Sequence, residues 1–136
     1  MKILIAVDES LFTKKSFEFI TTNSFKDIEE LHLVHVIPDY GHVVDVYPEI
    51  KHKLIEQATE LLEKNLGYIN DMEVIKIPEI LQGESIAQCL CQYCDTHEID
   101  LVLIGCRGLS DYDSLSLGSV SHNLVNQSKI SVLIVK

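Results

Sequence analysis

Apolar positions along the chain follow two rhythms. Four short runs are apolar at most positions and rich in β-branched residues: 2–7 (KILIAV), 31–37 (LHLVHVI), 100–104 (DLVLI) and 130–135 (ISVLIV). Such continuous runs predict strands covered on both faces, as in a parallel sheet. A fifth run, 72–80 (MEVIKIPEI), alternates apolar and polar and predicts another strand, ending around Pro78. Between the runs the spacing turns helical. Ser10 stands where a cap would open a helix over roughly 11–22, with Phe12, Phe17 and Ile20 on its apolar side. Leu54, Ala58, Leu61 and Leu62 mark a helix over 49–66, with Glu56, Glu60, Glu63 and Lys64 on the outer face. Ile86, Leu90 and Cys94 recur every fourth residue in a helix over 84–97, and Ser119 opens a short one over 119–127. The order is β-α-β-α-β-α-β-α-β, in which each parallel strand pair is joined by a helix. Right-handed crossovers turn this order into an α/β doubly wound, three-layer sandwich around a five-stranded parallel sheet. Nothing in the pattern marks a second domain, so residues 1–136 are expected to form one.

Charge adds an exclusion. The net charge is −10, which disfavours partners built on phosphate backbones or anionic lipid surfaces. The excess is uneven: from residue 101 onward there are two acids and three bases, against nineteen and eight before. The acidic bias therefore stops where a glycine-rich stretch begins. No segment is long and apolar enough to span a bilayer. The opening MKILIAVDES lacks the cleavage site of a signal peptide, so a cytoplasmic location is expected, with Cys89, Cys91, Cys94 and Cys106 as free thiols.

The candidate chemistry lies in 104–125, IGCRGLSDYDSLSLGSVSHNLV. Open parallel sheets take ligands beyond the carboxyl ends of their strands, where the strand order reverses. Gly105 stands at such an end, where a glycine allows a sharp turn and leaves room for a ligand; Gly108 follows in the loop. Gly118 and Ser119 open the last helix, whose free N–H groups and dipole favour an anion, with the hydroxyls of Ser119 and Ser121 as further donors. Each glycine taken alone also reads as a plain turn residue, and Ser119 as a plain cap. Neither a G-x-x-x-x-G-K-[ST] loop nor a G-x-G-x-x-G turn is present.

The spacing G-x2-G-x9-G-[ST] formed by Gly105, Gly108, Gly118 and Ser119 resembles the nucleotide-binding branch of the universal stress protein family. ILIAVDES, HLVHVI, QGESI, IDLVLIGCRG, GSVSHNLV and SVLIVK fall where that family has its landmarks, so the resemblance covers nearly the whole chain. It implies an adenine nucleotide α-hydrolase-like, Rossmann-like fold that binds ATP, or AMP or ADP, at the carboxyl end of the sheet. Asp8 would lie near the ribose, and Val36 by the adenine with the backbone of Ala6 and Val7. Gly105, Arg107, Gly108, Gly118, Ser119 and Val120 would hold the phosphates. The resemblance also implies a homodimer paired through the last strand, acting in a stress response with a protein partner. Two positions depart from the family: Glu9 stands where many relatives have glycine, and Cys106 replaces a threonine-like residue.

Several residues keep two readings. Asp8 is a Mg2+ ligand acting through the phosphates, or a carboxylate that bonds the ribose or caps the first helix. Cys89, Cys91 and Cys94, with His97, invite zinc, or pack as small hydrophobes. Arg107 meets phosphate or faces solvent, and His35 is expected to pack near a sheet face. His122 reaches the ligand or stays on the surface. The loop 38–48 (PDYGHVVDVYP) covers the nucleotide or is a surface loop pinned by its aromatics. No G-x-S-x-G elbow, triad or phosphate-activating base is legible, so no catalytic residue is assigned and slow ATP hydrolysis stays open.

Overall fold

A computed structural model describes residues 1–23, 25–41, 46–107 and 116–136. The elements run β1 (Lys2–Ala6), α1 (Leu11–Thr22), β2 (Glu30–Pro38), α2 (Pro48–Leu66), a 3-10 turn (Gly67–Ile69), β3 (Ile75–Gly83), α3 (Ile86–His97), β4 (Leu101–Gly105), α4 (Ser119–Gln127) and β5 (Ser131–Val135). All five strands are parallel in the order β3-β2-β1-β4-β5. Strand order therefore reverses between β1 and β4, whose carboxyl ends flank one crevice.

The apolar strands are explained by their two covers. On one face Leu4, Val34, Val36, Val102 and Ile104 pack with Leu90 and Tyr93 of α3 and Leu124 of α4. On the other, Ile3, Ile5, Leu31, Leu33 and Leu103 pack with Phe17 and Ile20 of α1 and Leu62 of α2. Successive side chains of a strand enter opposite layers, so alternation disappears and only runs remain.

The third strand begins later and runs further than the pattern predicts. It spans Ile75–Gly83 and passes through Pro78, which sits opposite Leu33. β3 is an edge strand, where a residue lacking an N–H is tolerated. Met72 and Val74 are apolar for another reason: they pack against the second core from the connection after the 3-10 turn, where Met72 N–H donates to Ile69 O at 3.1 Å.

α3 ends on a non-glycine residue in the left-handed region, Glu98 at φ 55°. A β-carbon is strained in that conformation. Glu98→Gly is expected to stabilise the fold by about 1 kcal/mol, read as a higher midpoint in urea unfolding with an unchanged slope. A lower midpoint would show that the glutamate side chain itself holds this corner.

Candidate functional site

The crevice at the switch point is a cleft of about 250 Å³, and two chemistries meet in it. One wall is apolar: Val34 and Val36 of β2, Ile86 and Leu90 of α3, Ile104 of β4 and Val120 of α4. The rim is polar: Asp8, Thr13, His35, Arg107, Ser119 and Ser121. Of the residues that the sequence assigns, Ala6, Val7, Asp8, Val36, Gly105, Arg107, Gly118, Ser119 and Val120 all line this cleft, although they come from β1, β2, β4 and α4. Gly108 lies outside the described residues.

Asp8 is anchored before any ligand arrives. Its Oδ1 accepts from Ser10 N–H (2.9 Å), Ser10 Oγ–H (2.5 Å) and Thr13 Oγ–H (2.7 Å), while its own N–H donates to Thr13 Oγ1 at 2.9 Å. Ser10 therefore opens α1 without a side-chain cap, because its hydroxyl is turned back onto Asp8. The second carboxylate oxygen is the one left for a ligand. For the Mg2+ reading this leaves a single protein oxygen, and no group of three or more metal-ligating side chains is present among the described residues.

The glycine-rich stretch folds around one residue, Cys106. Cys106 N–H donates to Val135 O of β5 at 2.8 Å, while Cys106 O accepts from Gly118 N–H at 2.7 Å and from Ser121 Oγ–H at 2.9 Å. The start of α4 is thereby tied to the sheet. Two donors expected for a ligand are spent in this way: Gly118 N–H and the Ser121 hydroxyl, which also reaches Gly118 O at 3.0 Å. His122 N–H closes the first helical bond, onto Gly118 O at 2.9 Å. The N–H groups of Ser119, Val120 and Ser121 thus have no partner within the helix and stand at its positive end. Arg107 is half-buried on the same rim, and its Nε is buried without a hydrogen-bond partner. A buried guanidinium nitrogen left unpaired is costly, and an anion in the cleft would satisfy it.

Gly105 lines the cleft and is also pressed against α1. A β-carbon there would run into Cβ of Phe12, so the position is small because α1 crosses β4 closely. Its φ lies outside the left-handed region, and no sharp turn demands glycine. Val7 lines the cleft, but its N–H is spent on Val34 O at 2.8 Å. Glu9 is exposed and is not among the described residues that line the cleft.

His35 is the residue that the sequence reading placed too conservatively. Its Nδ1–H donates to Val7 O at 2.7 Å, which fixes the tautomer and sets the ring in the cleft wall. Thr13 was missed as well; a hydroxyl one turn into α1, five residues after the strand-end aspartate, was the available signal. His122 is exposed and bonds Asn126 through Nε2 at 3.0 Å, a surface role. Tyr40 and Tyr47 are 52 % and 51 % exposed, and residues 42–45 between them lie outside the described residues.

The cysteines read as packing groups. Cys94 is buried and its thiol is pushed up to about 12, chiefly by burial and then by Cys91 and Asp95. Cys91 is raised by burial and Asp95, against Lys129. Both shifts disfavour the thiolate that zinc requires. His97 turns its Nδ1 to Tyr93 O at 3.0 Å.

The fold and site together define a doubly wound α/β protein with an amphipathic cleft at its switch point and an anion-receptive rim. The chain belongs to the universal stress protein family, whose sequence profile matches residues 1–136. It is 27 % identical to universal stress protein Sll1388 of Synechocystis, an alignment covering 99 % of this chain and 97 % of that protein. The solved structure of MJ0577, a protein of Methanocaldococcus jannaschii, superposes with a TM-score of 0.88 at 26 % identity, covering 99 % of this chain and 94 % of that one. Two further solved structures share the fold at 19 % identity and a TM-score of 0.74, each covering 100 % of this chain. They are an Archaeoglobus fulgidus universal stress protein in complex with dAMP, 98 % covered, and an Arabidopsis thaliana family member with AMP bound, 91 % covered.

Proposed function

We propose that this protein binds an adenine nucleotide in the switch-point cleft and acts as a homodimeric, nucleotide-dependent regulator in a cytoplasmic stress response. The observation that carries the reading is the pairing of an apolar wall with an anion-receptive rim in one cleft. A heteroaromatic base fits beside Val36, Ile86 and Leu90, and a phosphate fits at Arg107 and the start of α4. Relatives of the same fold hold dAMP and AMP, which supports the same class of ligand here. The free Oδ2 of Asp8 is the group suited to a ribose hydroxyl. ATP is the form that the family resemblance favours, with Mg2+ carried by its phosphates.

The dimer reading rests on β5, an edge strand whose one strand partner among the described residues is β4. Pairing it with its twin about a two-fold axis would satisfy both edges. The same strand accepts the Cys106 N–H at Val135 O, so the edge and the rim are linked through one residue. No helix among the described residues is long and apolar enough to cross a membrane.

The test is calorimetric titration with AMP and ATP, alongside mass spectrometry of the freshly purified native protein for retained nucleotide. Gly118 is buried against the cleft, and Gly118→Val is expected to weaken binding at least about tenfold by crowding the phosphate rim. Unchanged affinity in that variant would move the ligand elsewhere.

A further inference from the structure

We propose that Pro78 closes the β3 edge of the sheet to a second copy of this chain, so that β5 is left as the edge at which copies pair; only the latter clause rests on the dimer reading above. The sheet ends in two edge strands, β3 and β5. In an extended strand the N–H and C=O of one residue point to the same side, and successive residues alternate sides. Ile75 N–H donates to Glu29 O at 3.1 Å, and Gly83 O accepts from Asp39 N–H at 2.9 Å, so both ends of β3 turn their backbone groups toward β2. The register between them is unbroken, from Glu30 opposite Ile75 to Pro38 opposite Gly83. The odd-numbered residues of β3 therefore bond β2, and Lys76, Pro78, Ile80 and Gln82 direct their backbone groups to the open side. Proline thus sits where the chain's own ladder loses nothing. A strand added from outside would bring a carbonyl oxygen to a position with no N–H and would meet the pyrrolidine ring instead. Pro78 is exposed.

β5 has the opposite character. Val135 O accepts from Cys106 N–H at 2.8 Å, so Val135 faces β4. By the same alternation Val132 and Ile134 face outward with their N–H groups intact. The sequence of β5, SVLIV, carries no charge and no proline, whereas IKIPEILQG of β3 carries a lysine, a proline and a glutamate. Charge and proline are the features that keep an edge from recruiting another strand. The difference decides the kind of assembly. β5 of one copy beside β3 of the next would extend the parallel sheet head to tail, an arrangement that does not close and adds copies without limit. β5 against its twin about a two-fold axis closes on itself. Pro78 removes the first arrangement and leaves the second.

The experiment is sedimentation velocity of the full chain over a wide concentration range, for the wild type, Pro78→Thr, Pro78→Ala and Glu79→Thr, with far-UV circular dichroism on each to show folding. The wild type is expected to hold one size. Both Pro78 variants restore an outward N–H and are expected to grow with concentration to at least about twice the wild-type mass. Amide exchange across Ile75–Gly83 is expected to slow in the associated material. Glu79 is an exposed neighbour whose backbone faces β2, so Glu79→Thr removes a charge and raises strand propensity without opening the outer ladder. It is expected to stay at the wild-type size. Wild-type mass in both folded Pro78 variants overturns the proposal, as does growth without added protection of β3, equal growth in Glu79→Thr, or a wild type that itself grows with concentration. Unfolding of both Pro78 variants overturns it too, because the proline would then serve the strand itself. A wild type that sediments as a monomer at all concentrations overturns the dimer reading and the clause that rests on it, while the closure of β3 stands or falls on the Pro78 variants.

Discussion

Gly105→Ala is expected to lower the stability of the folded chain by about 2–3 kcal/mol. The added methyl group has no free space, because it would meet Cβ of Phe12, an atom fixed to the α1 backbone rather than the tip of a mobile side chain. Relief requires α1 to move off β4. α1 also carries Thr13, which holds Asp8 in the cleft, so the shift would loosen the site together with the core. Urea unfolding measures the effect. Gly67→Ala is the matched control: Gly67 has a helical φ of −57° and nothing within 4 Å of its added carbon. That substitution is expected to be neutral or to stabilise by up to about 1 kcal/mol. Equal effects at the two glycines would refute the packing account of Gly105.

The second large effect lies away from the cleft, at the amino ends of the strands. His32 is 1 % exposed and bonded on both ring nitrogens: Nε2 to Glu30 Oε2 at 2.8 Å and Nδ1 to Tyr93 Oη at 2.8 Å. The Tyr93 hydroxyl is pushed up to about 12, first by burial and then by Glu79, Cys94 and Glu30, so it keeps its proton at neutral pH. Neutral His32 with Nε2–H donated to the carboxylate accepts that proton's hydrogen bond at Nδ1, and every partner in the chain is satisfied. The ring of Tyr93 also stacks on His97 at 3.8 Å. Tyr93→Phe keeps the stacking and orphans Nδ1 of a buried imidazole, at an expected cost of about 1–3 kcal/mol.

The same cluster sets an acid limb. The Glu30 carboxyl is held below its ordinary value of 4.5, first by the His32 hydrogen bond, against partial burial, and further by the charge of Lys2. A depressed folded-state pKa gives stability that is present above the ordinary value and lost as pH falls through the folded one. The stability gap between wild type and Glu30→Gln should therefore close as pH drops below 4.5. A gap independent of pH would mean that Glu30 acts here as a packing group.

Legibility followed physical range. Runs of KILIAV, LHLVHVI and ISVLIV announce strands because burial on both faces removes every polar position, and that is a local property of sequence. The third strand was displaced in the sequence reading because Met72 and Val74 are apolar for a packing reason outside any strand, and Pro78 is tolerated at an edge that only strand order defines. Gly105, Gly118 and Ser119 were legible through their spacing along the chain, and Ala6, Val7, Asp8, Val36, Arg107 and Val120 through the family resemblance; their hydrogen-bond partners were not. Which donors remain for a ligand depends on Cys106 O, which captures Gly118 N–H and the Ser121 hydroxyl across a loop. His35 and Thr13 carried no motif, because their place depends on how β1, β2 and α1 meet.

The sequence by itself determined the alternation of strands and helices, the family, and the end of the acidic excess at residue 101, since each depends on residue type and spacing alone. Only the tertiary structure decided that Gly105 is small for Phe12, that Asp8 Oδ1 is held by Ser10 and Thr13, and that His32 is buried between Glu30 and Tyr93. Those facts arise where segments distant in sequence touch, and hydrogen bonds and steric contacts reach only a few ångströms, so no local pattern encodes them.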